Sequence, residues 1–485
     1  MIPLSDLEPR RLWGYFLELS RIPRGSKHEA AAARWAAEQG RALGLEVETD
    51  GAGNVLVRKP ASGGREGRPA LALQAHLDMV CEKNEGTPHD FEKDPIEVVR
   101  DGDLLRARGT TLGADNGVGV SAALAVLAAR DLPHPPLEVL LTVDEETGLT
   151  GANAVRPGWL RSSRLVNLDS EEEGELTIGC AGGVDTVASR EVVWVAPSPG
   201  RRAFRLKVHG LKGGHSGIDI AAGRGNALRL LGEALWELAR AHDLQLAGAR
   251  GGNKRNAIPR EAWAVILLDP AREAAVAAEV VRLAAAVRAA LGGFDPGAAL
   301  SLEPLAEEPT GRRVLSPADA GALVGLLLAG PHGVEAMSPD IPGLVQTSTN
   351  MGVLEIFEKT AEVTFLTRSS IDSSKAGLAA RIAGVAALAG FECRTSNGYP
   401  GWKPEPGSAI ARLVNGVHQE LTGKAMVVKA IHAGLECGII GEKYPGLEMA
   451  SIGPSMWDVH TPDERVSIGS VQRFWRLLAA VLAQA

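Results

Sequence analysis

The chain has 485 residues, of which 51 are Lys or Arg and 59 are Asp or Glu, so its formal charge is −8. At about 150 residues per domain, this length predicts two or three domains with substantial cores. Hydrophobic residues make up 45% and charged residues 23% of the chain, which excludes a disordered or fibrous protein. The modest acidic excess argues against nucleic-acid and membrane-surface binding, because both need a basic face.

The cysteines are few and scattered, with no CxxC spacing: Cys81, Cys180, Cys393 and Cys437. Such cysteines build neither a disulfide scaffold nor a thiolate zinc module. The N-terminal segment lacks a basic stretch followed by an apolar one, so no signal peptide is expected. No apolar run reaches the roughly 18 to 20 residues of a membrane span. These features favour a soluble protein in a reduced, cytoplasmic compartment.

The first third of the chain alternates predicted helices and strands. Apolar periodicity predicts helices over 12–19, 29–43 and 116–130, and strands over 47–58, 70–75, 137–143 and 164–169. Strands that alternate with helices imply an α/β fold with a mostly parallel sheet flanked by helices. In such sheets, functional residues collect beyond the C-terminal ends of the strands.

From about residue 185 the pattern changes to period-two strands joined by turns. Strands are predicted over 184–195, 203–210, 262–268, 352–357 and 361–369, and helices over 226–242, 272–291 and 374–390. This mixture indicates a separate α+β domain. The last segment, with a helix over 410–421, is short for a domain, so we expect it to complete the first sheet. The prediction is a catalytic domain in two parts, 1–186 and 402–485, with an inserted α+β lid domain at 187–401.

Acidic and histidine side chains follow the predicted strands. His76 and Asp78 share a face, because residues two apart in a strand project to the same side, and a carboxylate can hold the second nitrogen of a ligating imidazole. Asp115 lies in a glycine-rich loop without the spacing of a phosphate loop. Each motif also has a plain structural interpretation, namely a buried His beside an incidental Asp or a helix cap.

Two further strands end in acids. Asp144, Glu145 and Glu146 follow an apolar strand, and clustering like charges beside a core is costly unless something positive neutralises them. Adjacent residues point in different directions, so Glu145 and Glu146 could divide metal binding and proton transfer between them. A solvated acidic loop is the alternative. Asp169 ends another apolar strand, whereas the acids at 171–173 are interpreted as solvated.

Two histidines lie in loops rather than strands. His460 stands in Trp457-Asp-Val-His-Thr-Pro-Asp-Glu, after a Gly-Pro turn. His215 stands in Gly213-Gly-His-Ser-Gly, which does not fit the G-x-S-x-G nucleophile elbow. A histidine framed by glycines is expected on an exposed loop, able to reach outwards.

Two imidazoles and three carboxylates, without a thiolate, therefore form the candidate ligand set: His76, Asp115, Glu146, Asp169 and His460. Such a set suits two zinc ions, or Mn or Co, about 3.5–4 Å apart, with one carboxylate bridging them. Metals of this kind activate a water and polarise a carbonyl, and a free carboxylate takes the proton of the water. The pattern predicts a dinuclear metal hydrolase.

The order and spacing of these motifs resemble the M20 clan of dinuclear zinc peptidases, and within it the aminoacyl-histidine dipeptidase branch. The resemblance covers essentially the whole chain. It rests on Gln74-Ala-His76-Leu-Asp78, Gly113-Ala-Asp115-Asn-Gly, Asp144-Glu145-Glu146-Thr-Gly, Asn167-Leu-Asp169-Ser-Glu and Gly213-Gly-His215-Ser-Gly. Branch-like segments are Met79 to Asn84, Asn256-Ala-Ile-Pro-Arg-Glu, Ile431 to Gly438 and His460-Thr-Pro-Asp-Glu. The family implies a lid inserted into the catalytic sheet and a homodimer.

The resemblance also assigns roles to individual residues. It implies that His76 and Asp169 hold one zinc, Glu146 and His460 the other, and Asp115 bridges both. Glu145 would be the general base, Asp78 would orient His76, and His215 would stabilise the oxyanion. Asn256, Arg368 and Gly434 would contact the substrate carboxylate, although Arg368 is equally compatible with a surface charge at a strand end. His432 and Glu436 belong to the branch motif without an assigned role.

The function implied is hydrolysis of small peptides, namely Xaa-His dipeptides such as β-alanyl-histidine, with a substrate range that can extend to other dipeptides. An N-acyl-amino-acid deacylase would use the same metals, but the branch-like segments around Asn84, Asn256 and 431–438 favour the dipeptidase. A catalytically inactive binding protein on this fold is a third alternative. It predicts loss of the base or of metal ligands, and all of them are present in the chain.

Overall fold

The computed structural model describes residues 6–305 and 313–485. Residues 1–5 of the predicted catalytic domain and residues 306–312 of the predicted inserted domain lie outside the described residues. The helices are α1 (Arg10–Leu19), α2 (Ala30–Ala42), α3 (Ala114–Ala128), α4 (Glu145–Gly148), α5 (Thr150–Ala154), α6 (Ala227–Ala241), α7 (Glu273–Leu291), α8 (Pro317–Ala329), α9 (Asp372–Leu388), α10 (Ala409–Thr422), α11 (Glu436–Lys443) and α12 (Ile468–Gln484).

The strands follow the same numbering by chain order. They are β1 (Glu46–Thr49), β2 (Val55–Lys59), β3 (Leu71–His76), β4 (Val98–Asp101), β5 (Leu104–Ala107), β6 (Leu137–Thr142), β7 (Arg164–Asn167), β8 (Glu175–Cys180), β9 (Gly182–Glu191), β10 (Trp194–Val195), β11 (Arg202–His209), β12 (Gly214–His215), β13 (Gln245–Gly251), β14 (Ala257–Ile258), β15 (Ala262–Leu268), β16 (Ala299–Pro304), β17 (Val314–Leu315), β18 (Gly333–Met337), β19 (Val345–Ile356), β20 (Thr360–Ser369), β21 (Glu392–Tyr399), β22 (Val427–Ile431), β23 (Glu448–Ser451), β24 (Met456–Trp457) and β25 (Arg465–Ser467).

The chain divides into two compact units. The first contains the residues through Gly179 together with Trp402–Ala430 and Leu435–Ala485. The second contains Cys180–Gly401 and Ile431–Gly434. The described residues of the range predicted as the inserted domain, 187–305 and 313–401, fall in the second unit.

The first unit is built on an eight-stranded sheet in the order β1-β2-β6-β3-β7-β23-β8-β22. The central strands β6, β3, β7 and β23 run parallel, whereas the pairs β1–β2, β2–β6 and β23–β8 are antiparallel. Strands β3 and β6 are buried along their whole length, because helices cover both faces of a parallel sheet. The predicted α/β class is confirmed, with the parallel strands at the centre of the sheet.

The single strand predicted over 47–58 is wrong, because the structure has a hairpin there. Strands β1 and β2 pair antiparallel, with Thr49 opposite Val55. The Asp50 carboxylate accepts the backbone N–H groups of Ala52 (3.0 Å), Gly53 (3.0 Å) and Asn54 (2.9 Å). An Asp followed by glycines is a turn signal that the apolar periodicity on either side concealed.

A small sheet in the order β24-β25-β5-β4 carries the C-terminal hairpin of the first unit. Strands β24 and β25 pair antiparallel, with Trp457 opposite Arg465. Strand β25 continues the pairing onto β5. The hairpin loop at 458–464 is therefore anchored at both of its ends.

The second unit contains a nine-stranded sheet in the order β16-β11-β15-β13-β19-β20-β9-β21, with β18 added to β19. Its recorded pairings are antiparallel, and its core includes Leu231 and Leu235 of α6, Leu326 of α8 and Phe365 of β20. Among the described residues, no helix combines the length and apolarity needed to cross a bilayer.

The prediction for this unit omits several strands, β13, β16, β18 and β21 among them, and two further differences have a clear physical reason. Strand β19 begins at Val345, well before the predicted start at residue 352, because its polar residues are hydrogen-bonded within the sheet; the hydroxyls of Thr347 and Ser369 are 2.9 Å apart. Helix α8 is absent from the prediction, although the Ser316 hydroxyl caps it by accepting the Asp319 N–H at 3.2 Å. Apolar periodicity finds neither polar strands nor helices that are apolar on most faces.

Candidate metal centre

The parallel strands of the first unit bring predicted ligands to one edge of the sheet. His76 is the last residue of β3, Glu145 and Glu146 open α4 directly after β6, and Asp169 follows β7 by two residues. Because these strands are parallel, their C-terminal ends lie at the same edge, where α/β sheets carry their functional residues.

Two further ligands come from outside the central strands. Asp115 lies in the first turn of α3, where its backbone is not helical and the peptide bond to Asn116 is cis. His460 lies in the β24–β25 hairpin loop with a φ of 63°.

Asp115 stands between the two histidines. Its Oδ1 is 3.1 Å from His76 Nε2 and its Oδ2 is 3.0 Å from His460 Nε2. Asp169 Oδ1 is 3.3 Å from His76 Nε2, and Glu146 Oε1 is 3.0 Å from His460 Nε2. The five residues thus form two groups that share Asp115, and the ligand atoms within each group lie within 4.8 Å of one another.

The chemistry of this donor set fits two divalent cations. Each group offers one imidazole nitrogen and two carboxylates, a combination that suits Zn, Mn or Co. Among the described residues, Glu146 Oε1 is buried without a well-oriented hydrogen-bond donor, and the nitrogen 3.0 Å away is the candidate ligand atom His460 Nε2. Burial raises the pKa of Asp169 to about 6, although the charge of His76 opposes the rise. Carboxylates crowded in this way need a nearby positive charge to stay ionised.

Asp78 joins the imidazole of His76 to the two glutamates. Its Oδ1 is 3.2 Å from His76 Nδ1, and its carboxylate accepts the N–H groups of Glu145 (3.0 Å) and Glu146 (3.1 Å) and the hydroxyl of Ser26 (2.8 Å). Burial alone would raise the pKa of Asp78. The hydrogen bond and charge of His76 outweigh burial and bring the pKa below its usual value, to about 2. An ionised carboxylate at Nδ1 leaves Nε2 of His76 directed at the ligand group.

Glu145 is the carboxylate at this edge that lies outside the two groups. Among the described residues, no side chain donates a hydrogen bond to it, and it is close enough to His76 and Glu146 for their ligand atoms to lie within 4.8 Å. Burial raises the pKa of Glu145 well above its usual range, and the charge of Asp169 adds to the rise, while His76 opposes it. A raised pKa suits a group that must accept a proton and release it again.

The alternative of a solvated acidic loop is excluded for this segment. The side chain of Glu146 is only 6% exposed, and Asp144 is buried. The two carboxylate oxygens of Asp144 accept the hydroxyls of Thr147 and Thr150. Asp144 therefore stabilises the turn, while the two glutamates face the site.

Glu436 is a functional candidate to which the sequence motif assigns no role. Its carboxylate accepts hydrogen bonds from Nε2 of Gln74 at 2.6 Å and from the hydroxyl of Thr142 at 2.7 Å. These two partners lie toward the C-terminal ends of β3 and β6. Burial raises its pKa to about 7. The residue belongs to a buried polar network beside the metal ligands and is not among them.

The second unit gathers the predicted substrate contacts around His215. The Nδ1 of this histidine accepts the N–H groups of Gly217 (3.3 Å) and Ile218 (3.1 Å). A glycine is needed at 217, because a Cβ there would lie 1.9 Å from the carbonyl oxygen of His432. Since Nδ1 accepts, the neutral ring carries its proton on Nε2. Burial and the charge of Arg368 lower the pKa of His215, which favours this neutral form.

Arg368 is buried, with only 4% of its surface exposed, so the alternative of a surface charge is excluded. Its Nη1 donates to the Tyr399 hydroxyl at 2.9 Å and its Nη2 is 3.4 Å from His215 Nε2. Gly434 packs on the same tyrosine, because a Cβ there would lie 2.9 Å from Tyr399 Cε2.

Two other residues of the branch motifs surround this cluster. Asn256 is exposed, and its backbone carbonyl accepts the N–H of Ser216 at 2.9 Å. His432 is buried, with Nε2 at 2.7 Å from the Ser348 hydroxyl. Burial and the charge of Arg368 lower the pKa of His432 to about 3, so this imidazole is neutral.

A mixed α/β sheet that presents two histidine–carboxylate groups sharing one aspartate defines a candidate dinuclear metal hydrolase. Comparison with known families makes the class specific. Residues 72–484 match the sequence signature of peptidase family M20/M25/M40, and the chain belongs to that family.

Relatives and solved structures agree with this membership. The chain is 42% identical over 484 residues, 100% of its length and 99% of the relative, to the cytosol non-specific dipeptidase of Escherichia coli K12. The crystal structure of aminoacylhistidine dipeptidase from Vibrio alginolyticus matches with a TM-score of 0.93 and 41% identity, covering 99% of this chain and 98% of that one. Aminopeptidase PepT from Bacillus cereus shares the fold, with a TM-score of 0.57, 17% identity and 99% of both chains covered.

Proposed function

We propose that this protein is a dinuclear-metal dipeptidase that hydrolyses the peptide bond of free dipeptides. The observation that carries the proposal is the position of Asp115, whose two oxygens face His76 and His460 at 3.1 and 3.0 Å. A carboxylate placed in this way would serve both cations of a two-metal hydrolase. The full-length similarity to two proteins named as dipeptidases supports the choice of substrate class.

When bound, two divalent ions would supply Lewis acidity that polarises the scissile carbonyl and acidifies a water. Glu145 takes a proton from that water while the water oxygen bonds to the carbonyl carbon. The same carboxylate returns the proton to the amide nitrogen as the C–N bond breaks. Its raised pKa fits this double task, as does the absence of a hydrogen-bonded side chain among the described residues.

His215 and Arg368 supply the donors in this proposal. His215 presents a neutral Nε2–H, which can donate to the oxyanion that develops on the carbonyl oxygen. Arg368, with Asn256 and Gly434, binds the C-terminal carboxylate, because a guanidinium matches the two oxygens of a carboxylate. Within the second unit, Tyr399 holds Arg368 through a 2.9 Å hydrogen bond.

The substrate preference, metal, assembly and compartment are part of the same proposal. The names of the two relatives indicate different substrate ranges, since one is called non-specific and the other an aminoacylhistidine dipeptidase. We therefore propose activity on Xaa-His dipeptides, including β-alanyl-histidine, and on other dipeptides. Zinc is the proposed metal, with Mn and Co as substitutes. We further propose a homodimer in the cytoplasm, the latter supported by the name of the Escherichia coli relative.

The test is hydrolysis by protein reconstituted separately with Zn, Mn and Co. The panel contains β-alanyl-histidine, other Xaa-His dipeptides, dipeptides without histidine, and N-acetyl amino acids. We expect cleavage of dipeptides and little cleavage of the N-acetyl compounds. Activity confined to the N-acetyl amino acids would make the protein a deacylase and contradict the proposal.

A further inference from the structure

The hairpin loop that carries His460 also carries a buried glutamate, four residues further along the chain. Glu464 is only 2% exposed. Its Oε2 accepts the N–H groups of Leu112 (2.7 Å) and Gly113 (2.9 Å), and its Oε1 accepts those of Ala114 (2.7 Å) and Asp115 (3.3 Å). One carboxylate thus receives four consecutive backbone donors, and both of its oxygens are fully engaged.

The segment that Glu464 holds is the one that presents the shared ligand. Gly113 has a φ of 69° in the left-handed region, and a Cβ there would lie 2.5 Å from Nη2 of Arg24. The N–H groups of four successive residues can converge on one carboxylate only when the backbone curls around it in this manner. Asp115 is the residue that supplies the last of these four N–H groups, so its side chain projects from the end of the curled segment.

Arg24 binds the same segment through a backbone carbonyl oxygen. It is only 2% exposed. Its Nη1 donates to the carbonyl oxygens of Leu77 (2.9 Å) and Asp78 (2.8 Å), and its Nη2 donates to that of Gly113 (2.5 Å). The guanidinium therefore ties the Asp115 segment to the residues that directly follow His76.

These contacts join three ligand-bearing segments of the first unit. Glu464 links the His460 loop to the Asp115 segment, and Arg24 links the Asp115 segment to the end of β3. Asp115 is the residue on which both candidate metal groups depend, so a shift of its segment would alter the two groups together.

We infer that Glu464, with Arg24 opposite it, is a positioning residue that fixes the distance between Asp115 and His460 and thereby sets the affinity of both metal sites. Partners behind the ligands commonly control metal affinity, and their loss costs about 10- to 100-fold. The inference rests on the proposed dinuclear site and goes beyond it, because neither residue is a ligand.

The isosteric substitution Glu464→Gln is the sharpest test. An amide keeps one acceptor oxygen and replaces the other with an NH₂ group, which would face two backbone N–H donors. The matched control is Glu138→Gln. Glu138 is also buried, at 3% exposure, and accepts the N–H groups of Arg161 and Ser162, both at 2.8 Å. It is the second residue of β6 and lies at the opposite end of this strand from the site.

The readouts are the Co(II) affinity, measured by competition with a chelator, and the visible absorption spectrum of the Co(II)-loaded protein. Wild type and Glu138→Gln should each bind two equivalents with the same affinity and spectrum. Glu464→Gln should bind about 10- to 100-fold more weakly, with an altered spectrum. Thermal unfolding of the metal-free proteins measures any general loss of stability in both variants.

The inference is overturned if Glu464→Gln matches the control in affinity and spectrum. If Glu464→Gln does not fold, Arg24→Lys takes its place, because an ammonium lacks the planar fork that spans these three carbonyls; an unchanged spectrum in that variant overturns the inference equally. Failure of the wild type to bind two equivalents would instead overturn the proposed function, together with this inference.

Discussion

The two clusters of predicted site residues differ in chemical character. The cluster in the first unit is built from acceptors, namely the carboxylates and imidazole nitrogens around Asp115. The cluster in the second unit is built from donors, with the Arg368 guanidinium beside the Nε2 of a neutral His215. Acceptors suit cations, and donors suit the oxyanion and carboxylate of a peptide substrate. Because of this difference, substitutions of the metal ligands in the first cluster should lower the metal content of the protein. Substitutions in the second cluster should change kcat or KM and leave the metal content unchanged.

The largest effect is expected for Asp115→Ala. Because the side chain is shared by both groups, its loss should lower the metal content from about two ions per chain to below one and reduce dipeptide hydrolysis to the background rate. Metal analysis by inductively coupled plasma mass spectrometry, alongside the hydrolysis assay, checks this. Retention of both ions would show that Asp115 is not the shared ligand.

Glu145→Ala should separate catalysis from metal binding within the same cluster. Loss of a general base lowers turnover by about 10²- to 10⁴-fold, while the metal content should stay near two per chain because Glu145 lies outside the two ligand groups. The measurement is kcat together with metal analysis on the same preparation. Loss of a metal ion from this variant would make Glu145 a ligand instead.

His215→Ala tests the donor cluster. Removal of one oxyanion donor costs about 10²- to 10³-fold in kcat, and the metal content should equal that of the wild type. The comparison with Asp115→Ala is direct, since both variants lose activity but only one should lose metal. A wild-type kcat in His215→Ala would remove this histidine from the proposed reaction.

Arg368→Ala should have the smallest effect, and one that depends on the substrate. Its loss should raise KM for a free dipeptide about 10- to 100-fold, as expected for a charged hydrogen bond of about 1.5–3 kcal/mol. Hydrolysis of the matching dipeptide amide, which lacks the carboxylate, should be slow in the wild type and unchanged in the variant. An equal loss on both substrates would assign Arg368 a structural role.

The sequence predicts the acceptor cluster better than the donor cluster, for a physical reason. His76 ends an apolar strand, and Glu146 and Asp169 each follow one, and parallel strands place their ends at one edge of the sheet. A buried polar strand leaves no such signal, so β19 is predicted too short. Arg368 lies near the end of β20, which is predicted, but only its burial distinguishes a site residue from a surface charge.

The residues that position the ligands are the hardest to find from the sequence. Glu464 lies between 349 and 352 residues from its four partners, and a glutamate in a polar loop is ordinarily solvated. The hairpin at Asp50 differs from the prediction for a local reason, because strand periodicity on both sides obscures a turn signal. The contacts of Glu464 follow only from the fold, whereas this hairpin is encoded in its own turn residues.

Anomalous diffraction from crystals of the zinc-loaded protein tests most directly whether two metal ions share Asp115. We expect two anomalous peaks about 3.5–4 Å apart. One should lie within about 2.0–2.2 Å of His76 and Asp169 and the other within that distance of Glu146 and His460, with one oxygen of Asp115 on each. A single peak, or two peaks of which only one contacts Asp115, would contradict it.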